Sequence, residues 1–166
     1  ARMLVIISDL HLTDGTSGGT IREGAFRAFR ERLRDLAYDA SWRGDGKYKP
    51  IDQLTVLLLG DILDVIRSKK WLDGQVRPWS PAKTEAFKKK VETITDAILK
   101  TNKKSLDCLK SLRQPKVITI PDASAKGEPK LVGREPNASG RKQVKVDLYY
   151  AIGNHEAHSR RQPVAA

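Results

Sequence analysis

Met3-Leu4-Val5-Ile6-Ile7-Ser8 is an almost uninterrupted apolar run, the pattern of a parallel strand covered on both faces. A Gly/Ser/Thr/Asp-rich loop follows from Leu12 to Thr20. From Arg22 to Ala40, Phe26, Phe29, Leu33 and Leu36 recur at spacings of three and four, which places them on one stripe of a helix. Gly44, Gly46 and Pro50 mark a connection. Leu54 to Leu59 reads as a second buried strand, ending at Gly60-Asp61. The order strand, helix, strand, with both strands apolar throughout, predicts a parallel sheet.

Ser80-Pro81 has the form of an N-cap followed by proline at the first helical position. The helix it opens is expected to run to about Arg113, with Phe87, Val91, Ile94 and Ile98 as its stripe and Leu109 and Leu112 resuming it. Asn102 and Ser105 fall on that same face and mark a candidate break. Gln114-Pro115 ends it. Val117 to Ile120 is a short strand, and Pro121 to Gln143 is a basic surface excursion of hairpin type. Val144 to Ile152 is the next strand and delivers Gly153-Asn154-His155, with a polar tail from His158 onward. The reading is therefore α/β: a mixed or mainly parallel central sheet with flanking helices. It forms one domain over residues 1–166, with 69–143 as an insertion holding the long helix and the basic excursion.

No stretch is apolar enough to span a membrane. The first apolar run, preceded only by Arg2 and followed by Asp9 and His11, reads as a strand rather than a signal peptide. Charge changes the picture more. Lys plus Arg is 31 against 20 for Asp plus Glu, a net +11. This favours phosphorylated or polyanionic partners, including nucleic acid through a basic surface. The plain alternative is a solvated surface, which is how Lys88-Lys89-Lys90 and Lys103-Lys104 on the long helix are read. Trp42, Trp71 and Trp79 sit in or beside loops, as exposed rings or as loop anchors. The single cysteine, Cys108, excludes an internal disulfide and fits a reducing, cytoplasmic compartment. Its helical spacing among apolar neighbours makes it a packing residue.

Candidate chemistry gathers at the strand exits, where open α/β sheets place their sites. Asp9-Leu10-His11 follows the first strand, Gly60-Asp61 the second, and Gly153-Asn154-His155-Glu156 the last. Asp, His and Asn are ligands for divalent cations. Phosphate-ester hydrolysis needs two cations about 3.5–4 Å apart, one carboxylate bridging them, and a donor for the leaving oxygen. Asp9 and His11, two apart, can reach one metal. Asp61 on the adjacent strand can bridge, and Asn154 can serve the second metal. His155 can stand over the leaving group as general acid, and Asp64, at the start of an expected helical turn, can orient its ring. Gly60 and Gly153 occupy strand-to-loop turns that call for positive φ or close approach of the backbone to the metals.

Asp9-x-His11, Gly60-Asp61-x-x-Asp64 and Gly153-Asn154-His155-Glu156 together resemble the first three blocks of the calcineurin-like metallophosphoesterase superfamily. The resemblance covers roughly residues 3–68 and 144–158. It implies that the chain holds the first half of a four-layer αββα sandwich. Asp9, His11, Asp61 and Asn154 would be ligands to two divalent ions, Mn, Fe or Zn. Catalysis would fall to His155 and Asp64, with hydroxide on the metals as nucleophile against a phosphomonoester or phosphodiester. Family members carry further histidines downstream, whereas His158 is the only other histidine here. A missing C-terminal segment, a second chain or a degenerate site are the three ways to account for that. The protein-phosphatase branch places arginine directly after the position of Asp64; this chain has Val65. Two other functions stand beside this one: a nucleic-acid-processing nuclease using the same site, and a non-catalytic interaction module with a half-site.

Overall fold

The computed structural model describes residues 1–153. Three strands, β1 (Arg2–Ser8), β2 (Gln53–Leu59) and, last in the chain, a strand over Lys145–Ala151, form a parallel sheet with β2 in the centre. Helix α1 (Glu23–Asp39) connects β1 to β2, as the strand–helix–strand pattern predicts. A single 3₁₀ turn (Lys69–Leu72), α2 (Glu85–Thr101) and α3 (Lys103–Ser111) follow. Then β3 (Thr119–Pro121) pairs antiparallel with β4 (Arg141–Gln143). The Lys145–Ala151 strand is β5.

The expectation that β1 is covered on both faces is corrected. Its residues alternate, and Leu4 and Ile6 are 57 % and 51 % exposed. In β2, Leu54, Val56 and Leu58 are buried while the residues between them are only half-buried. A continuous apolar run thus conceals a period of two: among the described residues no layer covers the second face, so the run stays apolar without being buried.

The chain divides into two compact units. The first comprises Ala1–Ile6, Glu23–Leu57 and Asp107–Tyr149. Its core takes Phe26, Leu33 and Ala37 from α1, Leu54 and Val56 from β2, Ile118 just before β3, Ile120 within it, and Val146 from β5. Removing a buried Leu such as Leu33 to Ala would cost about 2–5 kcal/mol. Arg34 closes α1 onto the segment leading into β3 by donating from Nε and Nη2 to the Val117 carbonyl at 3.0 and 2.8 Å. Tyr48 is 2 % exposed and donates to the Pro121 carbonyl at 2.9 Å. Burial pushes its phenol up to about 12, which keeps it a donor. The excursion after β3 is the expected hairpin, closed by the Ala123–Pro129 bridge.

Of the described residues, the second unit comprises Ile7–Arg22, Leu58–Leu106 and 150–153. Its core is Leu12, Ile62, Val65, Trp71, Phe87, Val91, Ile94 and Ile98. Helix α2 starts at Glu85, not at Pro81 as the sequence suggests. Ser80 Oγ is spent on Arg77 N at 2.8 Å, closing a turn, and Thr84 Oγ1 takes over as cap by accepting from Phe87 N at 3.3 Å. The candidate break falls at Asn102, which caps α2 before α3 begins. No helical turn forms at 61–66; that segment is irregular, with bends at 62 and 65–66, and bridges Leu12 through Leu63. Among the described residues no helix is long and apolar enough to cross a membrane. Trp71 is buried and donates Nε1 to the Val65 carbonyl, whereas Trp79 is 82 % exposed.

Candidate metal centre

Parallel strands bring their C-terminal ends to one edge, and the chain leaves β1 at Ser8 and β2 at Leu59. The two exits stay side by side beyond the sheet. His11 N donates to the Asp61 carbonyl at 2.9 Å, Leu12 N to the Ile62 carbonyl at 2.8 Å, and Asp64 N to the Leu12 carbonyl at 2.9 Å. These three bonds fix the register of Asp9 and His11 against Asp61.

The backbone is strained where the side chains converge. Among the described residues, four non-glycine residues have left-handed φ, and three of them are Asp9 (56°), His11 (45°) and Asp61 (45°). Each left-handed L-residue costs about 1–2 kcal/mol, and such strain gathers at functional sites. Gly60 takes the same left-handed region at φ 65°, where glycine carries no such cost. A Cβ on Gly60 would lie 3.1 Å from the Gly153 Cα, and one on Gly153 would collide with the amide N and Oδ1 of Asp61. Gly60 N also donates to the Ala151 carbonyl at 2.7 Å. The positive φ expected at these turns is found at Gly60, and the close approach at Gly153 is to Asp61.

Asp9, His11 and Asp61 each present one ligand atom, all within 4.8 Å of one another. His11 Nε2 stands 3.8 Å from Asp9 Oδ1. Two carboxylates at this spacing repel, which a divalent cation between them would relieve. Two oxygens and one imidazole nitrogen fit a hard or borderline metal. Behind them lies Asp64, fully buried. Its Oδ2 accepts from His11 Nδ1 at 3.1 Å and from Arg67 Nε at 2.5 Å, and its Oδ1 accepts from Arg67 N at 3.1 Å. A carboxylate only accepts, so Nδ1 donates in this contact, and Nε2 is the ring nitrogen left facing Asp9.

The loop after His11 is tied down by partners that composition alone did not reveal. Asp14 accepts from Ser68 Oγ at 2.6 Å, from Thr16 Oγ1 at 2.6 Å and from Thr16 N at 3.0 Å. Burial pushes its carboxyl up, but those bonds and the Lys70 charge together hold it below the usual carboxylate value. Buried Asn102 donates Nδ2 to the Thr13 and Ile98 carbonyls, both at 2.8 Å, and accepts from Thr20 Oγ1 at 2.8 Å. The helix break at Asn102 therefore has a cause: its amide is shared between the α2 terminus and the loop.

Of the residues singled out from sequence, Asp9, His11 and Asp61 come together. Asp64 joins them from behind His11, where the sequence reading paired it with His155. Asn154 and His155, the first two positions after Gly153, lie outside the described residues. Arg67 was missed, although Asp64-x-x-Arg67 is a legible spacing. No protein-family model matches the chain, and no curated protein or solved structure matches it.

Proposed function

We propose that the Asp9–His11–Asp61 cluster serves metal-dependent hydrolysis of a phosphomonoester or phosphodiester. The single observation that supports this reading is the convergence of those three ligand atoms within 4.8 Å at two neighbouring strand exits. The donor set suits Mn²⁺, Fe or Zn²⁺. In this reading Asp61 lies between two ions, Asp9 and His11 hold one, and Asn154 holds the other. When bound, such cations act as Lewis acids toward a phosphoryl group. Asp64 keeps His11 in the tautomer and orientation that leaves Nε2 for a metal. His155, beside Asn154, gives its proton to the leaving oxygen. The fold in this reading is the first half of an αββα sandwich, and a second sheet covers the face bearing Leu4 and Ile6.

The experiment is turnover of p-nitrophenyl phosphate and bis(p-nitrophenyl) phosphate by the chain with added Mn²⁺, with metal content measured in parallel. Asp61→Asn is expected to lower metal occupancy. His155→Ala is expected to keep the metals and lose turnover; loss of metal there instead would overturn the role given to His155. A folded chain that takes up no Mn²⁺ and hydrolyses neither ester contradicts the proposal and favours an interaction module.

A further inference from the structure

Arg67 takes part in neither the sequence motifs nor the ligand cluster, yet it is anchored at several points. Its amide N donates to Asp64 Oδ1 at 3.1 Å, and its carbonyl accepts from Ser17 Oγ. Its Nε donates to Asp64 Oδ2 at 2.5 Å, the same oxygen that accepts from His11 Nδ1. One carboxylate oxygen thus binds both the guanidinium and the imidazole of the candidate metal centre. The carboxylate is fully buried, whereas the Arg67 side chain is 58 % exposed. Among the described residues no acceptor takes Nη1 or Nη2.

A guanidinium fixed at Nε with both outer nitrogens open is a rigid fork, and that fork matches two oxygens of a phosphoryl group. Its anchoring removes much of the ordering cost that a free surface arginine would carry on binding. An ion pair serving only to neutralise Asp64 would be met equally well by a guanidinium whose remaining nitrogens were buried or paired. We infer that Arg67 is a substrate-binding residue, taking the non-bridging oxygens of the phosphoryl group at the Asp9–His11–Asp61 site. The inference rests on the metallophosphoesterase reading above.

The test is calorimetric titration of the Mn²⁺-loaded chain with inorganic phosphate, after a separate Mn²⁺ titration of the same samples. Arg67→Met is expected to weaken phosphate about thirtyfold at saturating Mn²⁺, as loss of charge-assisted bonds implies, and the separate Mn²⁺ titration reads whatever the centre loses when Asp64 loses this partner. Arg67→Lys retains a charge for Asp64 but not the fork, so phosphate affinity should still fall several-fold. Arg32→Met, on α1, removes the same charge elsewhere and should change nothing. Unchanged phosphate affinity in Arg67→Met overturns the inference and leaves the metal reading standing; so does a Mn²⁺-loaded wild type that binds no phosphate. Should Arg67→Met not fold, unchanged phosphate affinity in Arg67→Lys overturns it equally. A wild type that takes up no Mn²⁺ overturns the metal reading, and the inference with it.

Discussion

His11 Nδ1 lies 3.1 Å from Oδ2 of Asp64, a residue 53 positions further along the chain and wholly buried. This contact turns a loop histidine into an oriented one. It selects the tautomer, and it points Nε2 toward Asp9 rather than into solvent. Its partner oxygen can do this because Arg67 and the backbone share the cost of burying a carboxylate.

Asp64→Asn should weaken Mn²⁺ binding by about 10- to 100-fold without removing any ligand atom, as loss of an outer partner to a metal-binding histidine does. An amide can turn its NH₂ toward Nδ1 and so favour the wrong tautomer. Titration of metal into wild type and variant at neutral pH reads this directly. Equal affinities would mean that the His11–Asp64 contact has no bearing on the metal.

Asp14 should make stability pH-dependent in one direction. Its folded carboxyl sits below the ordinary value of about 3.9. The stabilisation is therefore present above that value and lost as pH falls through the folded one. Asp14→Asn should lower the Tm at pH 7, and the gap to wild type should narrow by pH 3. Thermal melts at the two pH values test it; a gap that widens in acid would contradict the assignment.

Asn102→Ala removes three hydrogen bonds from a buried amide and leaves the Thr13 carbonyl short of a donor. A loss of roughly 1–3 kcal/mol is expected. Amide hydrogen exchange should quicken along the Leu12–Thr20 loop as well as at the end of α2. Acceleration confined to the helix would show that the loop does not depend on this side chain.

Gly153→Ala should perturb Asp61 more than its small size suggests, because its Cβ would meet both the backbone and the carboxylate of that residue. Weakened Mn²⁺ binding with a modest fall in Tm is expected. Gly60→Ala adds strain at φ 65° and should cost about 1–2 kcal/mol of stability. Denaturant unfolding of the two variants separates the effects, and a Gly153→Ala that binds metal like wild type would deny the close approach any role.

Much of this fold was legible because apolar periodicity reports burial. The stripe Phe26, Phe29, Leu33, Leu36 found α1, and the apolar runs found β1, β2 and β5. The start of α2 was misread because Ser80-Pro81 has cap chemistry, yet Ser80 is engaged by Arg77; the competition between two nearby hydroxyls, Ser80 and Thr84, is settled only by tertiary geometry. The exposure of Leu4 and Ile6 was hidden for a related reason: hydrophobicity does not say whether a covering layer is present. At the site, Asp9, His11 and Asp61 could be found from motif and strand context. Asp14 and Asn102 could not, since each acts across a distance in sequence; Arg67 stands at a legible spacing from Asp64, but one that also serves ordinary helix pairs. Asp64 was found as the orienter of an imidazole; the described residues place it on His11, and its expected partner His155 lies outside them.

The most direct measurement is a Mn²⁺ titration of the wild-type chain alongside Asp9→Asn and Asp61→Asn, with folding of each verified by circular dichroism. Wild type should bind the ion, and each variant should bind it at least about tenfold more weakly while staying folded, the scale expected when a charged ligand becomes neutral. If all three folded proteins take up Mn²⁺ equally, or none does, the carboxylates at the two strand exits do not form a metal site.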